Sequence, residues 1–253
     1  MKFFIINLEK DVEKRNRISS LCEQLGLDYE IIQAVYGKEL SEEEIKQNVA
    51  DKEEQLKYLK RPLSLGEIGC ALSHRKCYQK IVSDNIEDAV ILEDDAIFDE
   101  KLIEFLKHKS EFPKDLELLL LGHHRQTYND DGFRIESPYS LRFDLQIENY
   151  HIKRLVGRGN GTYGYYINKN GAKRLLSVME KIFLPSDLYT SNERYVNVYA
   201  LFPTLVDFSI FDISATQDGF KIKKKSKLRK YFKLIKTKIV YFIPSIMPLK
   251  KYS

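Results

Sequence analysis

Tryptophan is absent from this chain of 253 residues, and cysteine occurs only three times, at Cys22, Cys70 and Cys77. None of the cysteines forms a Cys-x-x-Cys pair or another zinc-ligand spacing, and their small odd number argues against a disulfide framework. No apolar run approaches the roughly 20 residues that a membrane-spanning helix needs. The run from Phe3 to Leu8 is too short for a secretory signal. We therefore expect a protein of the reducing cytosol with its cysteines buried as small apolar side chains.

Acidic residues are missing from the last part of the chain, although the protein as a whole carries a net charge of only +4. Residues 221 to 251 hold twelve Lys or Arg and no Asp or Glu. The remaining chain has 41 − 12 = 29 basic residues against 37 acidic ones, a net charge of −8. This separation predicts an acidic domain over residues 1–220 and a basic tail over residues 221–253 that meets an anionic surface.

Alternating strand and helix patterns predict the fold of residues 1–220. From Ile18 onward, apolar residues recur at helical spacing and predict a first helix. The sequence from Ser64 to Glu67 has the spacing of a capping box, which predicts the start of a second helix. The charged stretch from residue 41 to 60 favours a solvated helical excursion. Apolar and β-prone runs predict strands at residues 3–8, 29–35, 89–92, 118–121, 161–167 and 196–202. We predict an α/β domain with a mainly parallel central sheet flanked by helices, and residues 123–158 form either a long loop or a small hairpin.

Three consecutive carboxylates, Glu93-Asp94-Asp95, follow the apolar strand at residues 89–92. Ligand sites of open α/β sheets lie at the carboxyl ends of the strands. Carboxylates crowded at such an end repel one another unless solvent or a cation relieves the repulsion. Oxygen ligands of this kind suit Mn²⁺ or Mg²⁺, which keep room for substrate phosphates. We favour a metal site here over a solvated acidic turn, with Glu93 and Asp95 on one side and Asp94 on the other.

Several isolated residues are weaker candidates on sequence alone. Asp187, placed in a loop after Pro185-Ser186, is a candidate general base, although a lone loop Asp is more often a turn or cap residue. His74, within a predicted helix, is more often structural, and His123 and His124 follow a strand. Four glycines between Gly157 and Gly164 allow close approach of the backbone to a ligand, or form an ordinary turn.

The ordered motifs of residues 3–220 resemble glycosyltransferase family 25. The resemblance rests on Phe4-Ile5-Ile6-Asn7-Leu8 with Arg15 and Arg17, Ala34-Val35-Tyr36-Gly37, Leu65-Gly66-Glu67-Ile68-Gly69-Cys70-Ala71-Leu72-Ser73-His74, Val90-Ile91-Leu92-Glu93-Asp94-Asp95, Gly161-Thr162-Tyr163-Gly164-Tyr165 and Pro185-Ser186-Asp187. Bacterial enzymes that build lipooligosaccharide or lipopolysaccharide, often galactosyltransferases, and collagen galactosyltransferases belong to this family. The acidic motif begins with Glu, as is usual in the family, and Gln217 is an uncertain counterpart of a Gln often found after the late strand.

The resemblance implies a GT-A-type fold and an inverting transfer of a hexose, most often galactose from UDP-galactose, onto a glycan acceptor. It implies that Mn²⁺ or Mg²⁺ binds to Glu93 and Asp95, and that Asp187, with Glu93 second, serves as the catalytic base. The residues that it assigns to the UDP-sugar are Asn7, Leu8, Arg15, Ala34, Tyr36, Ser73, Asp94 and Gly164.

Two other classes of function remain open at this point. A metal-dependent phosphotransferase or nuclease also uses clustered carboxylates, but it normally needs further acidic ligands on other strands, and the sequence has no equally clear second cluster. A nucleic-acid-binding protein would use the basic tail, yet no binding motif accompanies the tail and an acidic domain opposes nucleic acid. We expect no nucleic-acid partner.

The basic tail carries apolar residues at helical spacing among its cations. Leu228, Phe232, Ile235, Ile239 and Phe242 form the apolar set. Such a pattern is typical of a helix that lies in the membrane interface with its cations near lipid phosphates, and an amphipathic helix packed on the acidic domain is the alternative. The membrane interpretation predicts a cytoplasmic enzyme, peripheral at the inner face of the cytoplasmic membrane, whose acceptor is a lipid-linked oligosaccharide.

Overall fold

The computed structural model describes residues 1–124, 126–128, 134–136, 139–157 and 159–208, with the backbone alone for residues 126–128 and 134–136. The helices are α1 (Val12–Gln24), α2 (Glu42–Asn48), α3 (Lys52–Leu59), α4 (Leu65–Ser83), α5 (Glu100–Lys107), α6 (Lys169–Val178) and α7 (Ser186–Thr190). The strands are β1 (Lys2–Asn7), β2 (Tyr29–Gln33), β3 (Asp88–Glu93), β4 (Ala96–Ile97), β5 (Leu118–Leu120), β6 (Gln126–Tyr128), β7 (Arg134–Glu136), β8 (Tyr139–Ile147), β9 (Tyr150–Leu155), β10 (Gly164–Asn168), β11 (Val198–Phe202) and β12 (Asp207–Phe208).

Eight strands form one central sheet in the order β2-β1-β3-β10-β5-β11-β9-β8. Strands β2, β1 and β3 are parallel neighbours, and β11 is parallel to β5. Strand β10 is antiparallel to both β3 and β5, and β9 is antiparallel to β11 and β8. Six of the eight strands therefore run in one direction, and the carboxyl ends of β1 and β3 lie side by side.

Hydrophobic side chains fill both faces of this sheet. One cluster packs α4 and α6 against alternate residues of the central strands, including the fully buried Ile91. The other packs α1 and α5 against the intervening residues, including Leu92. Because successive strand side chains point to opposite faces, an uninterrupted apolar strand such as β3 must be covered on both sides. The predicted α/β architecture, with helices flanking a large sheet, is confirmed.

The predicted elements and the observed ones differ mainly at strand ends and in the middle of the chain. The charged stretch from 41 to 60 forms α2 and α3, both largely exposed, as predicted. Residues 139–155, which showed no clear period, form the β8–β9 hairpin that extends the central sheet. The strand predicted from residue 161 begins only at Gly164 and runs antiparallel to both of its neighbours, β3 and β5.

Helix α4 begins at the predicted capping box and lies unusually close to the loop after β2. Ser64 accepts from the Glu67 amide, and the Glu67 carboxylate accepts from the Ser64 amide. A side chain on Gly69 would lie 2.5 Å from the Val35 carbonyl oxygen, and one on Gly37 would lie 1.7 Å from the Leu65 carbonyl oxygen. Only glycine allows backbones to approach so closely, so this pair sets the distance between α4 and the end of β2.

No helix within the described part of the chain is long and apolar enough to cross a membrane. The predicted basic tail, residues 221–253, lies outside the described residues, as does Gln217.

Candidate active site

The site forms where the carboxyl ends of β1 and β3 meet the buried face of α4. Asn7 ends β1 and Glu93 ends β3, while Ile6 and Glu93 are register partners. The Asn7 amide nitrogen donates to Asp94 Oδ2 at 2.7 Å and to the Asp11 carbonyl oxygen at 3.1 Å. The predicted nucleotide residue Asn7 and the acidic triplet therefore belong to one constellation.

Glu93 points into α4 and is held by two donors. His74, fully buried on α4, lies with Nε2 3.3 Å from Glu93 Oε1, and the Thr162 hydroxyl also donates to this oxygen. Burial by itself would raise the pKa of Glu93, but the hydrogen bonds from His74 and Thr162 outweigh it and the pKa is lowered. Glu93 is therefore an ionised carboxylate with a fixed orientation.

A chain of buried hydrogen bonds extends from His74 into the core. An ionised Glu93 only accepts, so His74 Nε2 donates to it. The Tyr165 hydroxyl lies 2.8 Å from Nδ1, and the Tyr78 hydroxyl lies 2.7 Å from that of Tyr165. Burial raises the pKa of both tyrosines well above the ordinary value, so they remain neutral donors. Tyr78 and Tyr165 thus orient the imidazole that orients Glu93.

Asp94 and Asp95 leave the strand and form a turn into β4. Strand alternation therefore ends at Glu93. The Asp94 carboxylate contacts Asn7 on β1, whereas the Glu93 carboxylate contacts His74 on α4, so the two side chains face different elements. The Arg17 guanidinium fixes the turn by donating to the carbonyl oxygens of Asp94 and Ala96 at 2.6 and 3.1 Å.

The electrostatics of the turn suit a bound cation. Burial, together with the adjacent Glu93 and Asp94 carboxylates, raises the pKa of Asp95 to about 6. Asp95 Oδ1 and Asn7 Oδ1 are both buried and lack a hydrogen-bond partner among the described residues. Since buried acceptors are normally satisfied, two such oxygens beside crowded carboxylates fit a hard divalent cation or a donor group of a ligand.

Asp187 lies near the same cluster but not in the predicted loop. It occupies the first turn of the short helix α7, because Pro185 precedes the helix as its N-cap. The Gly161 amide donates to Asp187 Oδ2 at 3.5 Å, and Gly161 has the positive φ of 92° that glycine adopts readily. Burial raises the pKa of the Cys70 thiol, and the nearby Glu93 and Asp187 carboxylates raise it further. Both predicted catalytic carboxylates therefore lie close enough to Cys70 to act on its thiol electrostatically.

A cleft of about 660 Å³ opens beside the ends of β1 and β2. Three of the residues predicted to bind the nucleotide, Leu8, Ala34 and Tyr36, line it. Lys10 also lines the cleft and places Nζ 3.7 Å from the centre of the Tyr36 ring. Leu8, the residue after Asn7, therefore lies at the edge shared by the cleft and the carboxylate cluster's strand β1. The cleft presents an aromatic ring, a cation and apolar side chains to a ligand.

The remaining predicted donor residues occupy different positions. Arg15 is half-buried on α1 and does not line the cleft. Ser73 is buried, donates to the Gly69 carbonyl oxygen and accepts from the Val35 amide at 2.8 Å. Gly164 is buried in β10 against Val206. These contacts give Ser73 and Gly164 packing roles, and their contact with a nucleotide stays a prediction.

The sequence predicts a structural His74, assigns no role to Thr162 and places Arg17 in a motif, whereas in the structure all three contact the acidic triplet or its turn. The spacing of Cys70 and His74 on one helical face was the available signal for a site on α4. Among the described residues, Cys70, His74 and Glu93 place potential ligand atoms within 4.8 Å of one another. His123 contacts the Tyr139 hydroxyl at 3.1 Å, and the His124 ring lies against Phe208.

Residues 1–190 match the family model described as "Glycosyltransferase family 25 (LPS biosynthesis protein)". The chain belongs to glycosyltransferase family 25. This membership confirms the family resemblance, and it covers the acidic triplet, α4 and the segment with Asp187.

Curated relatives from animals share the family. A "Glycosyltransferase 25 family member" of Aedes aegypti is 29% identical over 260 residues, which cover 89% of this chain and 39% of that protein. "Procollagen galactosyltransferase 1-B" of Xenopus laevis is 31% identical over 180 residues, or 69% of this chain and 28% of that protein. The chain thus spans less than half the length of these relatives.

Among solved structures, a glycosyltransferase involved in the glycosylation of the major capsid of PBCV-1 is similar with a TM-score of 0.40 and 9% identity, over 79% of each chain. A similarity of that size supports no functional inference.

Proposed function

We propose that this family 25 chain is an inverting hexosyltransferase that transfers galactose from UDP-galactose onto a glycan acceptor. The observation that carries the proposal is the carboxylate cluster of a family 25 chain, in which the unpartnered Asp95 oxygen lies beside the Glu93 carboxylate that His74 and Thr162 fix. Galactose is favoured because curated relatives are described as procollagen galactosyltransferases.

The donor is proposed to bind along the 660 Å³ cleft, with its nucleotide against Leu8, Ala34 and Tyr36. Its diphosphate would then lie toward Asn7 and the acidic turn. Asp95 and Glu93 would hold Mn²⁺ or Mg²⁺, which would supply positive charge where negative charge develops on the diphosphate as the anomeric bond breaks.

The acceptor hydroxyl must lose a proton as it attacks the anomeric carbon from the side opposite the diphosphate. Asp187 is proposed to take this proton, because its carboxylate receives the amide of Gly161, whose neighbour Thr162 donates to Glu93. Attack from the opposite face inverts the anomeric configuration. The family membership favours this reaction over the phosphotransferase or nuclease that a carboxylate cluster alone also permits.

The acceptor is proposed to be a lipid-linked oligosaccharide of the lipopolysaccharide or lipooligosaccharide type. This proposal has two supports, the words "LPS biosynthesis protein" in the family description and the basic residues 221–251. Each basic residue near an anionic membrane contributes about 1 kcal/mol. We propose that the protein acts in the cytoplasm, peripheral at the inner face of the cytoplasmic membrane.

Hydrolysis and transfer assays over a panel of UDP-sugars, with and without Mn²⁺, test the proposed function. UDP-galactose should be the preferred donor, activity should require the metal, and Asp95→Ala should abolish metal-dependent transfer while circular dichroism stays unchanged. Wild-type activity that persists in excess EDTA would refute the metal assignment. Inactivity with every UDP-sugar would refute the proposed donor class.

A further inference from the structure

A second cleft, of about 440 Å³, lies beside the helix that carries Asp187. It falls in the size range of small-molecule sites. Its lining comes from α3, the end of β9, α7 and the loop that follows α7, and includes Tyr58, Gly157, Leu188, Ser191, Glu193 and Tyr195. None of its lining residues is shared with the 660 Å³ cleft.

Two segments connect this second cleft to the proposed base. Leu188 lines the cleft and is the neighbour of Asp187 in α7. Gly157 also lines the cleft, and four residues later the Gly161 amide donates to Asp187. The first cleft instead adjoins Asn7 and the acidic turn through Leu8. The second cleft therefore adjoins the two segments that carry Asp187 and Gly161, whereas the first adjoins the segment that carries Asn7.

The lining of the second cleft combines aromatic faces with the Glu193 carboxylate, which is ion-paired with Arg154 but accepts no hydrogen bond at Oε1 among the described residues. The Tyr58 side chain is 48% exposed, with its ring 4.8 Å from that of Phe183, and the Tyr195 ring lies 5.7 Å from that of Tyr189. Glu193 Oε1 is buried and has no hydrogen-bond partner among the described residues, although Arg154 Nη1 lies 3.7 Å away. Burial raises the pKa of Glu193. An acceptor oxygen of this kind calls for a hydroxyl donor.

A sugar ring fits this chemistry better than an extended peptide does. Its hydroxyl groups can donate to Glu193 while its carbon–hydrogen face packs against Tyr58. A peptide strand would bind most readily along an open sheet edge, but β9, which reaches the cleft at Leu155, is already paired with β11 on one edge and β8 on the other.

We propose that the second cleft binds the terminal sugar of the acceptor glycan, with Glu193 accepting from a hydroxyl and Tyr58 packing against the ring. The proposal rests on the proposed function and adds where the acceptor binds. It places the attacking hydroxyl on the Asp187 side of the carboxylate cluster, away from the nucleotide.

Initial rates for the full chain and its Tyr58→Ala and Glu193→Gln variants test this proposal, with a short soluble glycan acceptor and UDP-galactose varied in turn. Each variant should raise the acceptor KM by about tenfold, since losing a hydrogen bond to a charged group, or a ring contact, weakens binding by roughly a factor of ten. The donor KM and the hydrolysis of UDP-galactose without acceptor should not change. The matched control is Glu104→Gln, which replaces an exposed carboxylate on α5. It should change neither the acceptor KM nor the donor KM. Tyr36→Ala should show the opposite pattern, a raised donor KM only.

An unchanged acceptor KM in both cleft variants, with normal wild-type transfer, would overturn the cleft assignment and leave the proposed function intact. If the variants raise the KM for a procollagen-derived peptide acceptor but not the KM for the glycan acceptor, the assignment of the cleft to a sugar is overturned. Tyr58 is exposed, so Tyr58→Ala decides the outcome even where Glu193→Gln fails to fold. Wild-type protein that neither hydrolyses nor transfers would overturn both proposals.

Discussion

Replacing Asp95 with Asn is expected to stabilise the metal-free protein while removing its response to metal. The pKa of Asp95 is raised from 3.8 to about 6 by burial and by the carboxylates of Glu93 and Asp94. A carboxyl that holds its proton more tightly in the folded state destabilises that state once it ionises. The cost is therefore absent below pH 3.8, grows as the pH rises toward 6, and is complete above 6.

The size of the effect follows from the same two values. A pKa raised from 3.8 to about 6 corresponds to a destabilisation of the folded state by at most about 3 kcal/mol when Asp95 is ionised. Asp95 is partly exposed, so water and salt screen the repulsion and a gain on the order of 1–2 kcal/mol is expected for Asp95→Asn at pH 7.5. Asn has nearly the same shape, so packing should change little.

Urea unfolding in EDTA, at pH 7.5 and at pH 4, measures the free energy of unfolding of both proteins. Asp95→Asn should be more stable than the wild type at pH 7.5, and the difference should shrink at pH 4. Mn²⁺ should raise the melting temperature of the wild type more than that of the variant. The control is Asp28→Asn, an exposed carboxylate paired with Lys2, which should show no gain. A variant no more stable than the wild type in EDTA, or a gain independent of pH, would refute the argument.

Three further predictions test the base, the fold and the tail. Asp187→Asn should lower turnover by at least ~10²-fold without changing UDP affinity measured by calorimetry; near-normal turnover would assign the proton transfer to another group. Gly69→Ala should lower the free energy of unfolding in urea by about 1–3 kcal/mol, because its side chain would lie 2.5 Å from the Val35 carbonyl oxygen; a loss no larger than that of Ser83→Ala would contradict the close packing. Deleting residues 221–253 should abolish co-sedimentation with anionic vesicles while transfer to a soluble acceptor survives; wild-type protein that does not co-sediment at low salt would exclude the membrane role.

Several parts of the site were predictable because they depend on neighbours in the chain. The apolar strand before Glu93 and the capping box at Ser64 are local patterns, and both are present in the structure. The direction of the strand at Gly164 was not predictable, since an antiparallel central strand has the same apolar pattern as a parallel one. The helical position of Asp187 was also missed, because α7 has only five residues and too few turns to show a period.

The order of residues along the chain is enough to show that three carboxylates follow a buried strand and that the chain carries the motifs of glycosyltransferase family 25, since strand burial and motif spacing depend on consecutive residues. The differences among the carboxylates, in contrast, depend on contacts between distant parts of the chain. His74 and Thr162, 19 and 69 residues from Glu93, hold that carboxylate ionised, whereas Asp95 has one buried oxygen that accepts no hydrogen bond among the described residues and holds its proton more tightly. Because a pKa depends on burial and on charges across space, this division of roles appears only when β3, α4 and the loop before β10 come together.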